Sequence, residues 1–378
     1  MTLRIGSQAQ SDTQRTTVQL LQERIAYTSA QVSTGYKTQV YDDIGPDTKN
    51  LIDQKSLQAK IDSYQSTIQK SAQRMEVMQQ SLDQVVAIAA DVRAEYLKDY
   101  DYLDTDQNVR NAFQIKAANA AKEIARVLNV QFDNTYLFAG RIPQISGGPM
   151  PDPGTQASLN PSTYTPANSP LDFVDNLSNN LPNVTAAVIT SAQLFTAIRT
   201  SFDPPAAPNP PTAPVAGPGV PPAAPGYNGF YLSDISTTTS QQTTVRIDRN
   251  YDMTYGVRGD DTAFKDILAG IYTFATLDYS TADSAAFFAT SDLALDSLVQ
   301  GMTSARAVVG ALGIKQQVLE QVDGKHEQIG TFLNQSISDI QDADPYKAVT
   351  DLQYLDNQLE ASYKVTAQLK NLTLANYI

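Results

Sequence analysis

The feature that most constrains the fold is a heptad repeat of apolar side chains in the first third of the chain. Its positions follow one another in alternating steps of four and three residues. This is the 3.5-residue period by which one helix packs along another in a coiled coil. A helix from Asp47 to Lys98 would be about 75 Å long at 1.5 Å per residue. The repeat comprises Leu57, Ile61, Tyr64, Ile68, Ser71, Met75, Met78, Leu82, Val85, Ala89, Val92 and Tyr96.

Shorter repeats of the same kind lie near both ends of the chain. We expect one helix to begin near Ser7 and end near Gly35, and another to begin at Pro345 with Asp344 as its N-cap. Serine and threonine interrupt both repeats, so we expect these helices to complete their apolar core with other copies of the chain. The predicted assembly interface comprises Val18, Leu21, Ile25, Val32, Leu352, Leu355, Leu359 and Leu369.

Proline separates the helical flanks from the middle of the chain. Of the 20 prolines, ten lie between Asp203 and Gly226 and seven between Pro143 and Pro170. The middle is therefore predicted to be a loop-rich insert that contains some β structure and an extended proline tract. After it, Thr243 to Gly259 alternates apolar and polar residues around Arg249-Asn250, which predicts a β-hairpin followed by an apolar helix.

The predicted fold class is mainly α. Long antiparallel coiled-coil helices come from both termini, accompanied by the small hairpin and the central insert. We expect a terminal coiled-coil domain from 1–45 and 345–378, a helical rod domain from 46–141 and 240–344 that carries the hairpin, and a variable outer domain from 142–239.

Composition excludes many kinds of chemistry. The chain has 40 acidic and 27 basic residues, a net charge of −13, which argues against a protein that neutralises nucleic-acid phosphates. It has no cysteine and one histidine, which removes thiolate sites and any metal site that needs two imidazoles. Composition leaves carboxylate, lysine and serine catalysis open, but no motif selects such a site. We expect no catalytic residue, no metal and no cofactor, and we expect that the chain is not an enzyme.

Several residue groups could be interpreted as catalytic, metal-binding or ligand sites, but each has a simpler structural interpretation. His326 lies between Val322 and Ile329 on an apolar repeat, so a packed histidine is favoured over a general base. Met75 and Met78 lie at repeat spacing and are expected to fill the core rather than bind a soft metal. The proline tract is expected to be a spacer rather than a ligand for an SH3-type groove.

Two groups of aspartates also have a structural interpretation in place of metal binding. A cluster at Asp99, Asp101, Asp104 and Asp106 lacks the glycine and the final glutamate of an EF-hand, so a solvated loop between helices is favoured over a calcium site. The adjacent Asp260 and Asp261 are expected to cap the helix that begins at Thr262.

The chain shows no sequence signal for the membrane. Its longest nearly continuous apolar stretch, Val85 to Ala90, is far shorter than the roughly 18 residues that span a bilayer. The first residues contain no apolar segment of the secretory type. We expect no membrane insertion and no cleaved signal peptide.

The first helix ends at Thr34-Gly35, and the aspartate pair Asp42-Asp43 follows a short turn later. Further along, the chain reads YLFAG, which comprises Tyr136, Leu137, Phe138, Ala139 and Gly140. The turn with its aspartate pair resembles the N-terminal segment of the flagellin superfamily and, within it, of the hook-associated protein 3 family of the hook-filament junction. YLFAG is similar to the signature by which junction proteins enter their variable domain. Residues 245–271, 305–313 and 338–378 are similar to the family's hairpin and C-terminal helices.

The chain departs from the family pattern at its turn. Tyr36 separates Gly35 from the basic Lys37, and Ile44 and Gly45 stand before Pro46, where many members have a proline straight after the aspartate pair. We expect the local turn to differ.

The resemblance implies a structural subunit that is exported unfolded by the flagellar type III apparatus and lies outside the cell. Its implied partners are copies of itself, neighbouring hook-associated protein and flagellin subunits, and an export chaperone, with no nucleic acid among them. A filament-forming flagellin is the alternative within the superfamily. From another class, the insert could bind or process a carbohydrate or a host molecule, although Asp152, Asp172, Asp175 and Asp234 show no spacing that selects a catalytic pair.

Overall fold

The structure is a computed structural model. It describes residues 2–38, 40–103, 105–139, 150, 171, 174–175, 178, 184, 186, 189–202, 243–277 and 284–375, and of these it describes only the backbone in 2–11, 41–43 and 369–375.

Helices make up most of the described chain. In chain order they are α1 (Thr2–Thr34), a 3₁₀ helix (Tyr41–Asp47), α2 (Thr48–Asp99), α3 (Gln107–Leu128), α4 (Ser191–Ser201), α5 (Thr262–Thr276), α6 (Ser284–Gln341) and α7 (Pro345–Ala375). Two antiparallel hairpins accompany them, β1 (Gln131–Phe132) with β2 (Thr135–Tyr136), and β3 (Thr243–Asp248) with β4 (Tyr251–Tyr255). The predicted fold class, mainly α with a small hairpin, is confirmed.

Side-chain caps begin several helices. The carboxylate of Asp344 accepts hydrogen bonds from the backbone N–H groups of Tyr346 and Lys347, as expected for the start of α7. Asp261 caps α5 in the same way, by accepting from Ala263 N. Asp106 caps α3 by accepting from Asn108 N. One expectation is wrong, because α1 begins at Thr2 and not near Ser7.

The described chain forms two compact units. Unit 1 comprises Met1–Ser63 and Gly324–Ile378, and unit 2 comprises Tyr64–Asp323. Both α2 and α6 contribute residues to each unit. These boundaries lie away from those expected from the sequence, and the three-domain division stays a prediction.

The core of unit 2 contains most of the heptad repeat in α2. From Ile68 to Tyr96 every repeat position is buried, including the polar Ser71. Helix α5 is buried from Ala263 to Thr276 except at the partly buried Lys265, which suits its largely apolar sequence. The rings of Tyr96, Phe113 and Phe274 meet there, with centroids 4.8 to 5.8 Å apart.

Glycine lets α5 and α6 approach closely inside unit 2. A Cβ placed on Gly270 of α5 would lie 2.6 Å from the carbonyl oxygen of Ala294, and one placed on Gly301 of α6 would lie 2.7 Å from Ile267 N. Real Cβ atoms do not approach other heavy atoms this closely, so the contact requires glycine at both positions.

The described part of the insert is anchored to this core. Residues of α4 pack on α5, and the Arg199 guanidinium donates to the Asp266 carboxylate at 2.7 Å. None of the described residues between 142 and 239 lies in a strand, and α4 is a helix where loops and strands were expected. The β structure expected in this insert stays a prediction.

Candidate assembly surface

The terminal helices α1 and α7 pack against each other in unit 1. Their contact includes a hydrogen bond from Gln22 Nε2 to the Tyr363 hydroxyl at 2.9 Å. Little apolar surface is fully covered, because only Leu21, Ala348 and Leu355 among the described apolar residues of the pair are buried. A thin core of this kind provides little of the burial that normally stabilises a helix.

The structure places the predicted interface residues in and beside this intrachain contact. Val32 is 39% exposed, and the side chain of Leu369 lies outside the described residues. Whether any of these residues touches another copy stays a prediction. Leu21 and Leu355 are buried, and Val18, Ile25, Leu352 and Leu359 are partly buried.

A groove of about 360 Å³ runs between the two helices. On one side it is lined by Gln14, Thr17, Val18 and Leu21 of α1, and on the other by α7 from Gln358 to Thr366. Its presence shows that the two helices alone leave their shared surface incompletely filled.

Further apolar and aromatic side chains of the pair, its apolar flanks, are exposed to solvent, and one of them, Val365, also lines the groove. On α1, Leu20 and Tyr27 are 52% and 50% exposed, and their seven-residue separation places them on one face. On α7, Tyr354 and Val365 are 62% and 49% exposed and share a face, since eleven residues make about three turns. Tyr346, in the first turn of α7, is 86% exposed. The pair therefore presents apolar surface beyond its own contact.

The turn after α1 pairs with the turn after α6. Gly35 has φ of 75°, the left-handed conformation that ends many helices, and its N–H donates to Gln31 O. Lys37 N donates to Gln341 O and Ala343 N donates to Gly35 O, so Tyr36 and Asp342 form an antiparallel bridge.

Of the family motif at this turn, Thr34 donates its hydroxyl to Ala30 O and Gly35 ends α1. The side chains of Asp42 and Asp43 lie outside the described residues.

The second family motif lies in unit 2. Tyr136 is in β2, and Leu137, Phe138 and Ala139 are buried, while Gly140 lies outside the described residues. The Phe138 ring packs edge-on against Phe264 of α5, and its carbonyl accepts from Gly259 N. These contacts fix the chain where it leaves β2 for the insert.

Several of the residues that could be interpreted as catalytic or metal-binding are buried, paired or act as helix caps. His326 is 2% exposed within α6. Asp260 forms a two-bond pair with Arg258, and Asp261 and Asp106 are helix caps. Within the described residues, no group of histidines or carboxylates is arranged to hold a metal ion.

Two features that the sequence reasoning missed are the bonds of Lys37 and the apolar flanks. The bonds of Lys37 reach residues some three hundred positions away, and no local pattern indicates them. The flank residues Leu20 and Tyr27 could have been recognised from the sequence, since they lie at heptad spacing beside the expected repeat.

Comparison with known proteins gives a family match at the C-terminal helices. A search of proteins with curated functions finds no match. No helix in the described ranges has both the length and the apolar character needed to cross a membrane. A solved structure of a flagellar hook-associated protein from Vibrio parahaemolyticus has 14% sequence identity and a TM-score of 0.47, with 78% of this chain and 97% of that chain covered. Residues 293–378 match the family of the bacterial flagellin C-terminal helical region. The resemblance to the flagellin superfamily is thereby confirmed for residues 293–378, which comprise most of α6 and all of α7.

Proposed function

We propose that this chain is a non-enzymatic structural subunit of the bacterial flagellum, placed at the junction between hook and filament. The observation that carries the proposal is the thin core of the α1–α7 pair together with its exposed apolar flanks. Such a surface is stabilised when neighbouring helices cover it. The flagellin family match includes all of α7, one of the two helices concerned.

The junction role rests on the motif resemblance. Tyr136 to Gly140 carry the signature by which junction proteins enter their variable domain. In this role the chain is exported without a cleaved signal peptide and lies outside the cell. Its partners are copies of itself, neighbouring hook-associated protein and flagellin subunits, and an export chaperone before assembly.

Fluorescent labelling tests the position in the flagellum. The chain has no cysteine, so Thr196→Cys on the exposed side of α4 gives a single site for a maleimide dye. In the bacterium that carries the protein, we expect one fluorescent band at the cell-proximal end of each filament. Label along the whole filament would instead identify a filament flagellin, and absence from the flagellum would refute the proposal.

Charge substitution on the flank of α7 tests the assembly surface. Tyr354→Glu and Val365→Glu place a carboxylate where a neighbouring helix is expected, and burying an unpaired charge is costly. Gln353→Glu adds the same charge at an exposed polar position and is the matched control. We expect the first two variants to lose incorporation into flagella and the control to retain it, with unchanged helix content in all three. Equal incorporation of all three would show that this flank is not an interface.

Limited proteolysis of the isolated protein gives a further test. The thin core of the terminal pair predicts that protease removes α1 and α7 first, while the buried helices of unit 2 survive. A monomer protected along its whole length would contradict an assembly that stabilises its ends.

A further inference from the structure

The apolar contact between α1 and α7 does not by itself define how the helices align. Apolar positions repeat every three or four residues, so a shift of one helix by seven residues brings a similar set of side chains together. Only Leu21, Ala348 and Leu355 are buried among the described apolar residues of the pair. The buried Thr28 bonds to Arg24 O within its own helix and gives no preference for a position on α7. Another feature must therefore select the register.

Lys37 has the contacts needed to do so. Its backbone N–H donates to Gln341 O at 2.8 Å, which joins the segment after α1 to the end of α6. Its ammonium group donates to the carbonyl oxygens of Asp339 and Ile340 at 2.6 and 3.1 Å. These carbonyls belong to the last turn of α6, which has no basic residue of its own. A positive charge there is favoured by the helix dipole and by unpaired carbonyls.

The same residue is bound to α1. The Lys37 carbonyl oxygen accepts hydrogen bonds from the Tyr27 hydroxyl at 2.8 Å and from Gln31 Nε2 at 2.6 Å. Both donors lie in the last two turns of α1. Lys37 thus binds the C-terminal ends of α1 and α6 at once.

The short connections transmit this constraint to α7. The bridge residue Tyr36 follows Thr34, the last residue of α1, by two positions, and Asp342 precedes Pro345, the first residue of α7, by three. Asp344 then caps α7. With so few residues between the bridge and either helix, an axial shift of α7 along α1 requires the bridge to open.

We propose that the clip formed by residues 35–38 and 339–343 sets the register of α1 on α7, and that Lys37 is its positioning residue. The clip fixes one end of the terminal pair, and the weak apolar contact follows from it. This inference concerns the single chain and does not depend on the flagellar role.

Distance measurement between spin labels tests the register directly. Arg15→Cys and Asp351→Cys introduce the only two cysteines at exposed positions of α1 and α7. Because Gln22 lies opposite Tyr363, the two labels are about nineteen residues, or about 28 Å, apart along the pair. A shift of one heptad changes that separation by about 10 Å.

The clip variant is Lys37→Met, which removes the ammonium group and retains most of the aliphatic stem. In the labelled full-length chain we expect a second distance, displaced by about 10 Å, in addition to the original one. Lys37→Arg keeps a donor for the α6 carbonyls and should restore the single distance. Lys364→Met removes an exposed lysine paired with Glu360 on α7, and it should leave the distance unchanged.

A purely stabilising role gives a different result. If Lys37→Met lowers the unfolding temperature but keeps a single, unchanged distance, or loses the terminal pair without a displaced population, the clip does not set the register. A displaced population in Lys364→Met as well would also overturn the proposal, because the shift would then not depend on the clip.

Discussion

Gly301→Ala should destabilise unit 2 because a methyl group has no room where α6 crosses α5. The added Cβ would lie 2.7 Å from both Cγ1 and N of Ile267 and 2.8 Å from Ala263 O. Ordinary carbon contacts begin at about 3.5 Å, so the helices must separate by about 0.8 Å. Two of the three atoms belong to the backbone of α5, which cannot move aside by rotating a side chain.

The expected change in the free energy of unfolding for Gly301→Ala follows from two opposing effects. Overpacking a well-filled core costs about 1–3 kcal/mol, and an approach to backbone atoms this close belongs at the upper end. Replacing glycine by alanine inside a helix offsets about 1 kcal/mol of that. We expect a net loss of about 2 kcal/mol in the free energy of unfolding.

Gly310→Ala is the matched control on the same helix. A Cβ on Gly310 meets nothing within 4 Å, so only the helix propensity changes and the variant should gain about 0.5–1 kcal/mol. Urea unfolding followed by far-ultraviolet circular dichroism measures both variants. If Gly301→Ala is as stable as the unsubstituted chain, or gains as much as Gly310→Ala, the close approach of α5 and α6 is wrong.

Two other predictions concern charged groups in unit 2. Arg199→Leu leaves the Asp266 carboxylate, which is 6% exposed, without its ion pair and should lower the free energy of unfolding by about 2 kcal/mol in urea, whereas Arg199→Lys should recover part of the loss. Hydrogen bonds from Lys116 and Lys98 lower the pKa of Glu95 from 4.5 to about 2. The stabilisation that the ionised Glu95 gives the folded state is therefore complete above pH 4.5 and disappears as the pH falls towards 2. Unfolding midpoints measured through this range should fall less steeply for Glu95→Gln than for the unsubstituted chain, and equal slopes would contradict this role of Glu95.

Local patterns predicted the long helices well because their causes lie within a few residues. The repeat from Ile68 to Tyr96 is buried as its spacing indicates, and Asp344-Pro345 begins α7. The β3–β4 hairpin turns at Arg249-Asn250. Leu57, at the beginning of the repeat, is 46% exposed instead. In that part of α2 the contacts with α6 include polar ones, such as Gln54 with Ser336.

Features that depend on distant residues were not predictable in this way. Nothing near Gly301 indicates that Ile267 will pass within contact distance, and nothing near Lys37 indicates that it will cap α6. Helix α4 is a different case. Its capping box of Thr190 and Gln193 is present in the sequence, but the residues around it show no regular pattern that predicts a helix.

Of the eight residues that the repeats predicted for the assembly surface, Leu21 and Leu355 are buried in the single chain, and their contact with other copies stays a prediction. The repeat alone could not separate those that the pair covers from those that it leaves exposed, such as Val32.

The exposed tyrosines of the terminal pair give the protein an optical signal of its own. The chain has no tryptophan and 19 tyrosines, so its near-ultraviolet emission comes mainly from tyrosine. The side chains of Tyr27, Tyr346, Tyr354 and Tyr363 are 49 to 86% exposed in the single chain, whereas Tyr96 and Tyr272 are enclosed in unit 2 and give a constant background. Covering the exposed rings with a neighbouring helix changes their absorbance, emission and accessibility to quenchers. Association of α1 and α7 with other subunits can therefore be followed in real time in unlabelled protein.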